Sequence, residues 1–166
     1  MQQPRVRTHL DRDEADMQQA VARMRNWDGH LAVDSAEACI FEAVIRAGQH
    51  LLLDHLLGDL GRRVAGEGPF FGAWGEHTWE WFVHLLEQPD SPWFDLGNGE
   101  KRDDVLRRGL RLGLDELKTR LGPDMTRWQW GKLHRLTYGH VLGAVEPLAR
   151  VFNLGPFPVG GDGNTI

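Results

Sequence analysis

The residues with types and spacings that chemistry can use fall into a few groupings. His77, Glu80 and His84 lie three and four positions apart, which puts them on one face of any helix, as helical zinc and iron sites require. The run His77-Thr78-Trp79-Glu80-Trp81-Phe82-Val83-His84 departs from H-E-x-x-H, and such a site needs a further ligand. The expectation is therefore a partly exposed polar face with a Glu80–His84 pair, and no bound metal. Ser35 and Ser91 are the only serines, so a serine nucleophile would have to be one of them. Neither stands in G-x-S-x-G, and both adjoin turn or cap residues that give a hydroxyl structural work. Gly160-Gly161-Asp162-Gly163 lacks the lysine and hydroxyl of a phosphate-cradling loop and reads as a tight turn.

The single cysteine, Cys39, cannot form an internal disulfide, and its apolar surroundings in sequence suit a small buried thiol. The acidic residues are scattered, with no carboxylate pair singled out for glycoside chemistry. Trp74, Trp79, Trp81 and Trp93 read as packing residues rather than a sugar or base platform. No catalytic residue, metal or cofactor is expected from spacing alone.

The elements that must position these groups are mostly helical. Residues 11–26 carry Ala15, Met17, Ala20, Val21 and Met24 at helical steps, and Asn26-Trp27-Asp28-Gly29 breaks the pattern. Asp34 is placed to open the next helix, with Glu37 three residues on in the manner of a capping box. Ile40, Phe41, Val44, Ile45, Gly48, Leu52 and Leu56 then form a broad apolar face up to a stop at Gly58. Residues 58–72 are glycine-rich and read as a loop. A helix is expected over Glu76–Glu87, with Trp79, Phe82, Val83 and Leu86 inward, ended by Pro89-Asp90-Ser91-Pro92-Trp93. Another is expected from Asp103 to Leu121, striped by Leu106, Leu110, Gly113, Leu114, Leu117 and Leu121 and stopped by Gly122-Pro123.

Beyond Thr126 the period changes: Trp128, Trp130 and Lys132 alternate with their neighbours like a short strand. A short helix over Val145–Phe152 and turn residues running toward a strand complete the chain. The reading is a mainly α unit, helical over 11–122 and strand- and turn-rich over 123–166. The stop on Thr165-Ile166, with no element completed, suggests a piece of something longer.

Composition sets the outer bounds. The chain has 166 residues, 41% hydrophobic and 26% charged, with a net charge of −5. That suits one globular domain with a sizeable core and gives no basic surface for nucleic acid. Seven tryptophans call for a large packing surface. Leu51-Leu52-Leu53 is far short of a membrane span. Nothing apolar follows Met1-Gln2-Gln3-Pro4-Arg5, so no signal peptide is expected, and the single cysteine suits either cytoplasm or periplasm.

Several segments, in order, resemble the C-terminal half of the catalytic chain of the penicillin amidase family. They are Trp27-Asp28-Gly29 with Asp34-Ser35-Ala36; Pro89-Asp90-Ser91-Pro92-Trp93-Phe94-Asp95 with Arg102-Asp103-Asp104; Trp128-Gln129-Trp130-Gly131-Lys132-Leu133-His134 leading to His140 and Leu142-Gly143; and Phe152-Asn153-Leu154-Gly155-Pro156-Phe157-Pro158-Val159-Gly160-Gly161-Asp162-Gly163-Asn164-Thr165.

The resemblance implies a helical subdomain of an N-terminal nucleophile hydrolase, whose complete enzyme is an αββα sandwich. There the serine that opens the large chain attacks an amide carbonyl with its own α-amino group as base. Substrates are acyl amides such as penicillins or acyl-homoserine lactones. The family's serine and oxyanion asparagine map upstream of Trp27, so no catalytic residue carries over. Asp162, Asn164 and Thr165 are the positions that approach the substrate pocket if any do. The resemblance also implies partners, namely the small chain and the N-terminal part of the large chain. The alternative is a free-standing helical module that self-associates or binds a partner.

Overall fold

A computed structural model describes the backbone of residues 4–64 and 71–162 and the side chains of residues 12–61 and 78–162. It is predominantly helical, with two short strands near the C-terminal end. Helix α1 runs Pro4–Arg25, α2 Ala36–Leu57, α3 Asp59–Val64, α4 Phe71–Leu86, α5 Arg102–Leu121 and α6 Ala149–Phe152; strand β1 is Arg135–Tyr138 and β2 Leu154–Pro158.

The long central helix α2 has two working faces. One buries Ala36, Ala38, Cys39, Ile40 and Ala43 against Met17 and Ala20 of α1, Leu114 and Leu117 of α5, and Met125, Trp128 and Trp130 beyond it. The other buries Ile45 and Leu52 with Phe82 and Leu85 of α4, Phe94 and Val105. Burial on this scale, roughly 1.5–3 kcal/mol per large side chain, is what holds the helices together. Small residues set the α2–α5 approach: a Cβ on Gly113 would sit 3.0 Å from the Ala43 carbonyl, and one on Gly109 3.2 Å from the Gly48 amide. Lys118 of α5 adds a polar tie to α1, with Nζ 2.8 Å from Asp16 and 3.9 Å from Asp13.

Several boundaries differ from the sequence reading. Helix α2 is capped by Ser35, not Asp34: Ser35 has extended backbone and its Oγ accepts from the Ala38 amide at 3.0 Å. Glu37 is drawn instead to Arg23 of α1, 2.7 Å away, so it serves packing between helices rather than the cap box. The glycine-rich stretch is not all loop. Gly58, at φ 55°, ends α2, and α3 follows at once because Gly61 lets it lie against the Leu53 carbonyl, where a Cβ would stand 2.2 Å away. Helix α4 starts at Phe71 rather than Glu76 and buries Leu85, leaving Val83 39% exposed. Leu56, on the apolar stripe of α2, is likewise 37% exposed.

The tryptophan-rich segment is not a strand. It folds as two 3-10 turns, Met125–Arg127 and Trp130–Lys132. Asp124 caps the first by accepting from the Thr126 amide at 3.0 Å, and the pairing starts only at Arg135. The Val145–Phe152 helix is reduced to the single turn of α6. β1 and β2 pair antiparallel, Arg135 opposite Pro158, Leu136 opposite Phe157 and Tyr138 opposite Leu154, with an irregularity between Leu136 and Tyr138. No described helix is long and apolar enough to cross a membrane.

Candidate functional site

Three separated stretches meet at the N-terminal end of α2. The turn after α1 supplies Leu31 and Val33, the second 3-10 turn supplies Trp130 and Gly131, and the tail after β2 supplies Val159 to Asp162. Gly131 donates to the Val33 carbonyl at 2.7 Å and Trp130 to the Ser35 carbonyl at 3.2 Å. Gly161 donates to the Leu31 carbonyl at 2.8 Å, and the Trp130 indole Nε1 donates to the Gly161 carbonyl at 2.7 Å. Val159 donates to the His134 carbonyl at 3.2 Å, and the His134 ring, stacked on Trp130 with centroids 5.1 Å apart, reaches the Val159 carbonyl from Nδ1 at 3.2 Å.

Glycine makes this clasp possible. A Cβ on Gly131 would stand 2.5 Å from Val33 Cγ1 and 2.8 Å from Pro158 Cβ, and one on Gly160 would stand 2.8 Å from the Leu31 carbonyl. The chain bends at Gly161, at φ 73°; Gly163, Asn164 and Thr165 lie outside the described residues.

Behind the clasp is a cavity of about 280 Å³ lined by Cys39, Glu42, Arg46, Glu116, Arg120 and Trp130, among others. Both arginines are committed to Glu116: Arg46 is ion-paired with it and Arg120 Nη1 is 3.1 Å from its Oε1. Burial alone would raise the Glu116 pKa, but the two guanidiniums outweigh it and hold the carboxyl below its usual range. Glu42 has no such compensation. Burial, and secondarily the negative charge of Asp162, push it up to about 7, against a smaller opposing pull from Arg46. Burial also pushes the Cys39 thiol up to about 12, so it is a packing residue and not a thiolate at neutral pH.

The sequence-singled serines are occupied structurally. Ser35 caps α2 and its hydroxyl is 3.4 Å from Glu37. Ser91 caps the 3-10 turn Pro92–Phe94 by accepting from Trp93 at 3.5 Å. Neither hydroxyl's described partners include a histidine. His84 is exposed and lies 3.4 Å from Glu87, three residues on and just past the end of α4, rather than pairing with Glu80 as expected. The His77 side chain lies outside the described residues. No group of three or more metal-ligating side chains gathers among the described residues. Of the tryptophans, Trp79 and Trp81 pack against the second core cluster, whereas Trp93 is 50% exposed; the Trp74 side chain is not described. Glu42 and its cavity were missed by sequence reasoning. The available signal was a carboxylate inside a largely apolar helix, between Phe41 and Ala43.

The clasp joins three of the four segments that carried the resemblance, and comparison with known proteins agrees. The profile of the penicillin amidase family matches residues 2–166. The chain belongs to that family, a branch of the N-terminal nucleophile hydrolases. Similar curated relatives are named acyl-homoserine lactone acylase QuiP. The Pseudomonas fluorescens Pf-5 protein is 30% identical over 161 residues, covering 94% of this chain and 18% of the relative. That of Pseudomonas syringae pv. syringae is 31% identical over 169 residues, 94% and 19% respectively, and that of Pseudomonas putida is 32% identical over 153 residues, 88% and 18%. The chain thus spans less than a fifth of the length of these relatives. No solved structure matches it significantly.

Proposed function

We propose that this chain is a scaffold portion of the large catalytic chain of an N-terminal nucleophile acylase, and that it brings no nucleophile of its own. The observation that carries this is the fate of the two serines in a chain matched to the family along residues 2–166: both hydroxyls accept backbone amides at helix starts. A hydroxyl becomes a nucleophile only beside a base, and Ser35 has Glu37 at 3.4 Å in a cap, with Glu37 itself bound to Arg23. The reaction of the assembled enzyme is hydrolysis of a linear amide between an acyl group and an amine. The names of the relatives favour acyl-homoserine lactones over penicillins, and an antibiotic-metabolising role is the less supported version. The partners are the small chain and the rest of the large chain, which supply the serine, its α-amine and the oxyanion donors. In this reading α1, α2 and α5 are a rigid platform, and the clasp fixes the direction in which the tail leaves it.

The test is hydrolysis by the purified chain of a chromogenic phenylacetyl amide and of a long-chain acyl-homoserine lactone. No turnover above background is expected. Turnover abolished by Ser35→Ala or Ser91→Ala overturns the reading.

One observation favours a second reading, a self-associating module. Tyr138, Val141, Val145, Val151 and Leu154 are each at least 60% exposed, all within the C-terminal region.

A further inference from the structure

The tail that closes the clasp is seated at its last bend by two hydrogen bonds, and a lone carboxyl stands behind them. Gly161 donates its amide to the Leu31 carbonyl at 2.8 Å, and its own carbonyl accepts the Trp130 indole N–H at 2.7 Å. Both bonds hold the residue just before Asp162. Trp130 is also a wall of the cavity of about 280 Å³ behind the clasp, and Glu42 of α2 lines the same cavity. Glu42 is half-buried, and among the described residues its carboxyl has no hydrogen-bond or ion-pair partner.

The charged groups around Glu42 do not neutralise it. Arg46, one turn on along α2, is ion-paired with Glu116 of α5, and Arg120 of α5 is spent on the same carboxylate. Cys39, on the preceding turn of α2, keeps its proton because burial disfavours the thiolate. From the second 3-10 turn, Lys132 directs its Nζ to the Arg127 carbonyl at 3.2 Å. His134 stacks on Trp130 and reaches the Val159 carbonyl. From the tail, Asp162 brings a second negative charge whose field reaches Glu42. A partly buried carboxylate facing another is costly, whereas the neutral acid is not. The seated tail therefore favours a proton on Glu42. Lifting the tail carries Asp162 away and opens the cavity to water, which favours the ionised form.

We propose that Glu42 is a proton-operated latch on the clasp: the neutral carboxyl lets Gly161 and Asp162 stay seated, and the carboxylate drives them off Leu31 and Trp130. The sign follows from linkage. The closed clasp holds the Glu42 proton more tightly than the open one, so the proton stabilises the closed form at low pH. That stabilisation is lost as pH rises through the closed-state value, about 7. One proton is exchanged, so opening rises by at most about tenfold per pH unit. The step is local, because α2 and α5 keep the packing of Ala43, Leu114 and Leu117 whether or not the tail is seated. The latch acts within this chain and does not depend on the catalytic reading.

Hydrogen exchange of the full chain between about pH 5 and 8, corrected for the intrinsic pH dependence of exchange, tests it. The reporters are the Gly161 amide and the Trp130 indole N–H, with the buried Leu117 of α5 as reference. Gly161 is expected to be less protected than Leu117, which marks local opening. Protection at both reporters is expected to fall at least about fivefold from pH 5 to pH 8. Glu42→Gln is expected to keep the low-pH protection and remove the fall. Asp162→Asn, which takes away one of the two opposed charges, is expected to shrink it. A wild-type chain with no fall overturns the proposal. So does protection at Gly161 equal to that at Leu117, since the tail then leaves only when the whole chain unfolds. A fall that persists in Glu42→Gln also overturns it and assigns the titration to another group, such as His134. If Glu42→Gln lowers protection at every pH, Asp162→Asn decides, and an undiminished fall in that variant overturns the latch.

Discussion

The helical platform and the C-terminal ribbon solve the problem of burial in opposite ways. In the platform, α2 is covered on two faces, and Phe82, Phe94, Leu52 and Trp128 are at most 1% exposed. In the ribbon every residue of β1 and β2 is exposed, although the strands hold Leu136, Tyr138, Leu154 and Phe157. An isolated two-stranded ribbon is at best marginally stable in water. This one is held by what flanks it: His134 and Val159 at the near end, and at the far end Asn153, whose Oδ1 accepts from the His140 amide at 2.9 Å and whose Nδ2 donates to Gly143 at 3.2 Å. The platform is stabilised by its own packing, whereas the ribbon is stabilised by anchors and leaves its apolar face for something else to cover.

The sharpest way to break this contrast is to cut into the platform. Trp128, 1% exposed with its Nε1 donating to the Gly122 carbonyl at 2.8 Å, is expected to cost about 3–5 kcal/mol as Trp128→Ala, read by urea unfolding. A loss below about 1 kcal/mol would mean that the first core cluster does not depend on it. Next in size is the clasp, where Gly131→Ala forces a methyl against Val33 and Pro158. A loss of about 1–3 kcal/mol is expected, together with faster hydrogen exchange at Gly161 but not in α5.

Glu42 links the two regions through pH. Its folded pKa, about 7, lies above its ordinary value of 4.5, so the folded state binds the proton more tightly. The stability this confers is fully present below about pH 4.5 and is lost as pH rises through about 7. Glu42→Gln is expected to flatten that dependence and to stabilise the chain by about 1 kcal/mol at pH 8, after allowance for solvent screening. An unchanged pH profile would assign the titration to other groups. Ser35→Ala, which removes the α2 cap, is expected to cost about 1 kcal/mol. The smallest effect belongs to the ribbon: Leu154→Ser, at a side chain 61% exposed, is expected to change monomer stability by less than about 0.5 kcal/mol. A larger loss would show that the ribbon's apolar face is already buried in the monomer.

Much of the platform was legible from periodicity. The stop of α5 at Gly122 and the end of α2 at Gly58 lie where spacing put them, and Gly113, Leu114 and Leu117 of the expected α5 stripe are buried, while Val105 and Gly109 are buried in place of Leu106 and Leu110, because a long amphipathic helix repeats its signal every turn. The segment after Thr126 was misread. Alternation of Trp128, Trp130 and Lys132 mimics a strand, yet the backbone forms two 3-10 turns, with the Trp128 indole bonded to nearby Gly122 and the Trp130 indole to Gly161 from far along the chain. The cap moved from Asp34 to Ser35 for a related reason: both residues can cap, and the Val33 and Ser35 carbonyls are fixed by Gly131 and Trp130 from far along the chain.

By itself the sequence determined the class of unit and its family, since helix periods, stops and the ordered motif segments are local and survive without knowledge of neighbours. It also limited serine chemistry to two residues. Only the tertiary structure decided that both serines are caps and that Glu42 is buried in the cavity behind the clasp, where the charge of Asp162 reaches it. Those facts depend on which residues from distant parts of the chain share a few ångströms, and on the direction each backbone group faces when they meet. Neither is a property of local spacing.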